Sequence, residues 1–136
     1  MNIRINNSKV FFAKSRNLYD ASKDIPGYYI KSATTGTDPK GVIEGNYAIS
    51  ADIPVKAGDV VTMNWTKPQT SNYLAMLDNK GLIVNGRTYE PVELMVTRIL
   101  QNKTSVTFQV PDGVVAICFT TIFNGKSLGD IEVFVA

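Results

Sequence analysis

The chain contains no histidine and a single cysteine, Cys118, among its 136 residues. The first absence excludes a Ser-His-Asp triad, a Cys-His dyad and every zinc site that uses histidine. The second excludes an internal disulfide, so the fold must stand on its packed core. Cys118 itself sits inside the apolar run of residues 114–119, where a thiol serves as a small hydrophobe rather than a nucleophile. Charge is also scarce. Charged residues make up 19% of the chain, and 14 Lys+Arg against 12 Asp+Glu leave a formal net charge of +2, too little for a dedicated nucleic-acid binder.

Other signals are missing too. There is no G-x-x-x-x-G-K-[ST] loop and no G-x-G-x-x-G turn to cradle a phosphate, and no EF-hand loop. No metal site and no cofactor are therefore expected. The opening Met1-Asn2-Ile3-Arg4-Ile5-Asn6-Asn7-Ser8 lacks a long apolar region, so a secretory signal is not expected. No apolar stretch approaches the roughly 20 residues of a spanning helix, so no membrane span is expected. Three N-x-[ST] triplets, at Asn6, Asn64 and Asn102, read as chance matches without such a signal. One local bias stands out. Arg4, Lys9, Lys14, Arg16 and Lys23 face only Asp20 in the first 23 residues, as a solvated basic end or as an arm for an acidic partner.

What is present is a β-forming pattern. The hydrophobic fraction of 44% and a mean hydropathy of −0.02 suit one folded domain of this length. Val106, Phe108 and Val110 alternate with Ser105, Thr107 and Gln109, and Ile131, Val133 and Val135 alternate with Glu132 and Phe134 near the end. Period-two alternation places one face of a strand on a core. Turn-forming pairs divide the runs: Pro26-Gly27, Gly58-Asp59, Lys80-Gly81, Asn85-Gly86, Asp112-Gly113 and Asn124-Gly125. Strands are expected at residues 9–14, 27–32, 47–53, 60–66, 73–78, 82–84, 93–100, 105–110, 114–121 and 130–135. Residues 32–45, polar and carrying Gly36, Pro39, Gly41 and Gly45, read as a long exposed loop. Many short strands in one domain predict an all-β fold, an antiparallel β-sandwich of jelly-roll type.

No catalytic residue is assigned. The carboxylates are scattered, and many stand beside turns, where Asp commonly caps its own backbone. The candidate binding residues are aromatic. Tyr28, Tyr29, Trp65 and Tyr73 lie near turns or strand ends, and each offers an apolar face with a polar tip on which a sugar ring can stack. Arg87, just past Asn85-Gly86, is a candidate to fix hydroxyls. The plainer alternative is that the aromatics fill or rim the core and that Arg87 is a solvated turn residue. As neighbours on one strand, Tyr28 and Tyr29 should point to opposite faces, one buried and one exposed.

Several segments then form a pattern: Asn17-Leu18-Tyr19-Asp20, Gly27-Tyr28-Tyr29-Ile30, Ser50-Ala51-Asp52-Ile53-Pro54-Val55-Lys56-Ala57-Gly58, Leu74-Ala75-Met76-Leu77-Asp78-Asn79-Lys80-Gly81 and Val106-Thr107-Phe108-Gln109-Val110-Pro111-Asp112-Gly113-Val114, with a closing strand over 131–135. This resembles the carbohydrate-binding-module-like β-sandwich domain of bacteriophage tail, baseplate and other virion proteins. Departures include Leu77-Asp78, where the family pattern has an aromatic before the aspartate, and residues 89–100, which have no counterpart in it. The resemblance implies a sandwich domain over 17–136, with 1–16 as a first strand or an attachment arm. It further implies a non-enzymatic virion protein, located on the particle as a decoration, tail-accessory or receptor-binding component. Its expected partners are other virion proteins, further copies of itself and a host surface glycan. A stand-alone carbohydrate-binding module is the alternative.

Overall fold

The computed structural model describes residues 16–30, 36–42, 45–70, 73–84, 96–97 and 100–136. Within them the chain is all-β and antiparallel. Its strands are β1 (Ile25–Pro26), β2 (Tyr28–Ile30), β3 (Lys40–Val42), β4 (Ala48–Ile49), β5 (Ile53–Pro54), β6 (Val60–Trp65), β7 (Leu74–Leu77), β8 (Val96–Thr97), β9 (Ser105–Gln109), β10 (Ala116–Phe123), β11 (Lys126–Ser127) and β12 (Ile131–Val135). A 3-10 turn over Ala21–Lys23 precedes them. A seven-stranded sheet runs β1-β4-β10-β7-β8, with β5 and β11 also paired to β10. A three-stranded sheet runs β9-β6-β12, and β2 and β3 form a separate hairpin. The expected strand at 9–14 lies outside the described residues.

Both main sheets feed one core. In the small sheet, Val61, Met63 and Trp65 of β6 share the inner face with Phe108 of β9 and with Ile131 and Val133 of β12. Register enforces this, since Val106, Met63 and Val133 lie side by side, as do Phe108, Val61 and Val135. The polar alternates Thr62, Asn64, Ser105, Thr107 and Glu132 point outward. In the large sheet, Leu74–Leu77 of β7 and residues 117–121 of β10 are buried without alternation. Both faces of these strands are therefore covered, so the sequence there does not alternate: Leu74–Leu77 and residues 117–119 are continuously apolar, and Thr120 and Thr121 are buried after them.

Turn chemistry matches the sequence. Asn124 and Gly125 both have positive φ, 51° and 78°, the pairing that a tight two-residue hairpin turn requires, and they join Phe123 to Lys126. Asp78 Oδ1 accepts from the backbone N–H of Lys80 at 2.8 Å and of Leu82 at 3.1 Å, closing the next turn.

Three expectations need correction. Residues 40–42 are not loop but β3, paired to β2 with Gly41 opposite Tyr29. A Cβ on Gly41 would stand 2.5 Å from Tyr29 Cε1, so the ring lies where only glycine leaves space. The strand expected over 47–53 is broken into β4 and β5 by Ser50, whose N–H donates to Phe119 O at 2.8 Å and whose hydroxyl accepts from Phe119 N–H at 3.1 Å. The strand expected at 82–84 reduces to a single bridge between Leu77 and Ile83.

The outer edge of β12 is closed by a side chain. Asn17 Nδ2 donates to Ile131 O at 3.1 Å, and Asn17 Oδ1 accepts from Val133 N–H at 2.8 Å. The carboxamide thus supplies the donor and acceptor that a neighbouring strand residue would supply, and Leu18 N–H adds a bond to Val133 O at 2.8 Å. Asn17→Ala should lower unfolding free energy by about 1–3 kcal/mol, since it strands partly buried backbone groups. The urea midpoint measures this; an unchanged midpoint would mean that water replaces the amide at no cost.

Candidate functional site

A cleft of about 190 Å³ opens between the segment before β1 and the segment leading into β5. Arg16, Leu18, Tyr19, Asp20 and Lys23 form one wall, and Ala51, Asp52, Ile53 and Pro54 the other. Local chemistry fixes the first wall. Asp20 caps the 3-10 turn, its Oδ1 accepting from Ser22 N–H at 3.0 Å and Ser22 Oγ at 2.6 Å. Those bonds, led by the hydroxyl, hold the Asp20 carboxyl below the usual range and keep it charged. Tyr19 lays its ring against Phe119, with centroids 5.8 Å apart, and its hydroxyl donates to Asp24 Oδ2 at 2.6 Å.

The second wall is held from the large sheet. Ile53 pairs with Ile117 of β10 and is buried, while Asp52 and Pro54 face solvent. Lys40 Nζ reaches Asp52 Oδ1 at 2.8 Å across the gap from β3. Burial alone would lower the Lys40 pKa, but the bonded Asp52 carboxylate outweighs it and the net direction is upward. The cleft therefore has apolar patches at Leu18 and Pro54, with the buried Ile53 behind them and Arg16, Lys23, Asp20 and Asp52 around them. Arg16 and Lys23 are exposed. Such a surface can hold a small polar ring, with its C–H face on the apolar patches and its hydroxyls on the charged groups.

The sequence-chosen aromatics do not gather at one place. Trp65 is 3% exposed and belongs to the core, because period two puts it on the face of Val61 and Met63; its ring is not available for stacking. Tyr28 and Tyr73 are half-buried and pack against that core. Tyr29 is also half-buried, so the expected split of one buried and one exposed tyrosine is replaced by two intermediate ones. Arg87 lies outside the described residues. Tyr29 instead meets Tyr47 edge-on with centroids 6.4 Å apart, and Tyr47 in turn meets Phe123 edge-on at 5.0 Å. The cleft residues were visible in sequence as parts of the Asn17–Asp20 and Ser50–Gly58 patterns and as the basic bias around the first, with nothing to show that the two segments meet.

Several other carboxylates among the described residues have structural work. Asp78 and Asp59 accept turn N–H groups, and Asp38 accepts from Lys40 N–H. Burial pushes the Cys118 thiol up to about 12, so it stays protonated at neutral pH. Among the described residues, no group of three or more His, Cys, Asp or Glu could hold a metal ion, and no helix is long and apolar enough to cross a membrane.

Asp24 supplies a pH test. Burial lifts its carboxyl above the ordinary range, against the opposing pull of the Tyr19 and Thr121 hydroxyls. A raised folded-state pKa means that the native state binds more protons just above the ordinary carboxylate range, so stability falls as pH rises through that interval. Asp24→Asn removes this slope. Its unfolding free energy relative to wild type should increase from about pH 4 upward and then level off. A difference that does not vary with pH would contradict the assignment.

Searches against protein-family models, curated proteins and solved structures return no match to this chain.

Proposed function

We propose that this chain is a non-enzymatic structural and recognition protein of a bacteriophage particle, a jelly-roll-like β-sandwich that meets host surface glycans through the cleft between Arg16–Lys23 and Ala51–Pro54. The observation that carries the glycan reading is the composition of that cleft. Apolar patches at Leu18 and Pro54 lie beside two cations and two carboxylates on the same small surface. A sugar presents the complementary alternation of C–H faces and hydroxyls, and charged partners strengthen bonds to the hydroxyls. A volume near 190 Å³ suits one residue of a chain rather than a long polymer buried along its length.

The virion reading rests on the sequence resemblance. Its motifs fall on the parts that build this scaffold: Asn17 closes β12, Gly27-Tyr28-Tyr29-Ile30 turns β1 into β2, and residues 50–58 and 74–81 form turns flanking β5 and β7. A non-catalytic role fits carboxylates already engaged in capping and pairing. Asp52 is bonded to Lys40, Asp20 to Ser22 and Asp24 to Tyr19.

Two measurements test the proposal. Mass spectrometry of purified particles of the phage encoding the chain should find it; its absence from them removes the virion reading. An array of bacterial surface polysaccharides should retain the purified protein. Arg16→Ala combined with Lys23→Ala should weaken that retention at least tenfold, as loss of a charged hydrogen bond worth about 1.5–3 kcal/mol predicts. Both side chains are exposed, so the melting temperature should hardly move. No retained glycan, or equal retention by the double variant, would remove the glycan reading.

A further inference from the structure

The two edges of the small sheet are finished differently. At β12, the outward backbone groups of Ile131 and Val133 are taken by Asn17 and Leu18. At the opposite edge stands β9. Its bonds to β6 follow one parity: Trp65 N–H donates to Thr104 O, and Val110 N–H donates to Asp59 O. With the continuous register between them, Val106 and Phe108 face β6 as well. The N–H and C=O groups of Ser105, Thr107 and Gln109 therefore point away from the sheet. Among the described residues no strand pairs with them, and all three residues are exposed.

This edge also lacks the usual defences. Ser105-Val106-Thr107-Phe108-Gln109 holds no charge, no proline and no glycine, and its register runs without a bulge. Exposed edges are normally blunted by such features because unpaired backbone recruits another strand. The outward residues are symmetric about Thr107. If a second copy approaches antiparallel with Thr107 opposite Thr107, Ser105 of each copy meets Gln109 of the other, and every outward N–H finds an outward C=O. Charge agrees with this register. Lys103 precedes the strand and Asp112 follows it, so pairing carries each lysine to the stretch holding the other copy's aspartate.

We propose that the Ser105–Gln109 edge is a self-association surface, where the same strand of a second copy pairs antiparallel about Thr107 and joins two small sheets into one. The contact is isologous, with one two-fold axis through the Thr107 pair. It is separate from the cleft and does not depend on glycan binding.

Sedimentation of the full chain from micromolar to near-millimolar concentration should show a monomer–dimer equilibrium. Replacing Ser105 and Gln109 together by Lys sets like charges opposite each other and should raise the dissociation constant at least tenfold. Mixing that variant with the corresponding double Glu variant should restore the dimer. Register is read by oxidation. Thr107→Cys places the two Cα atoms about 5.5 Å apart, within disulfide reach, so it should crosslink. Ser105→Cys places its two copies about 13 Å apart along the strands, so it should not. Circular dichroism of each variant separates loss of pairing from loss of fold. A monomer at every concentration, a dimer that the lysines leave unchanged, or equal crosslinking at both positions overturns the proposal.

Discussion

Strand β10 must be dry on both faces, and most of the architecture follows from that requirement. It pairs with β4, β5, β7 and β11, so its backbone is satisfied by neighbours from four parts of the chain. Residues from Ile117 to Thr121 are all buried. A strand covered on one side only would expose half of those side chains. Phe119 shows how several elements converge: its side chain is fully buried, its ring meets Tyr19, and its backbone exchanges bonds with Ser50. The wall of the cleft is therefore an extension of the same packing. Tyr19 is anchored by the core before it can line any surface.

The small sheet follows a different rule. One face is apolar, and the other carries hydroxyl and amide side chains of β6 and β9 that bond to one another, beside Val60, Glu132 and Phe134. Thr62 and Thr107 hydroxyls lie 3.3 Å apart, and Ser105 Oγ donates to Asn64 Oδ1 at 3.0 Å. These cross-strand pairs align the two strands without burying anything. Cost and reward are thus divided between the layers. The large sheet supplies most of the buried apolar surface, and the small sheet supplies a regular, solvated exterior.

Much of this was legible in the chain itself. Alternation at Val106–Val110 and Ile131–Val135 gave the small sheet its inward face, and Asn124-Gly125 marked the β10–β11 hairpin of the large sheet. The resemblance located the turns but not what they enclose. β3 was hidden because Lys40-Gly41-Val42 sits among loop-forming residues; its reason for pairing is the space Gly41 leaves for Tyr29, a contact between residues twelve positions apart. Ser50 likewise looked like part of a strand, although its hydroxyl was going to compete for Phe119 N–H. The cleft was least legible. It joins residues 16–23 to residues 51–54, and no local pattern records which surface segments a sheet will bring side by side. Trp65 failed as a binding candidate for the opposite reason: its local pattern was clear and placed it inside.

Asn17 has a consequence for growth. A pleated sheet lengthens without limit only when each added unit offers a fresh template on its far side. Here the far side is occupied by the chain's own amide, so whatever joins the sheet must stop after one addition. At this edge the barrier to further strands is one uncharged side chain and the neighbouring Leu18 N–H instead of a row of lysines.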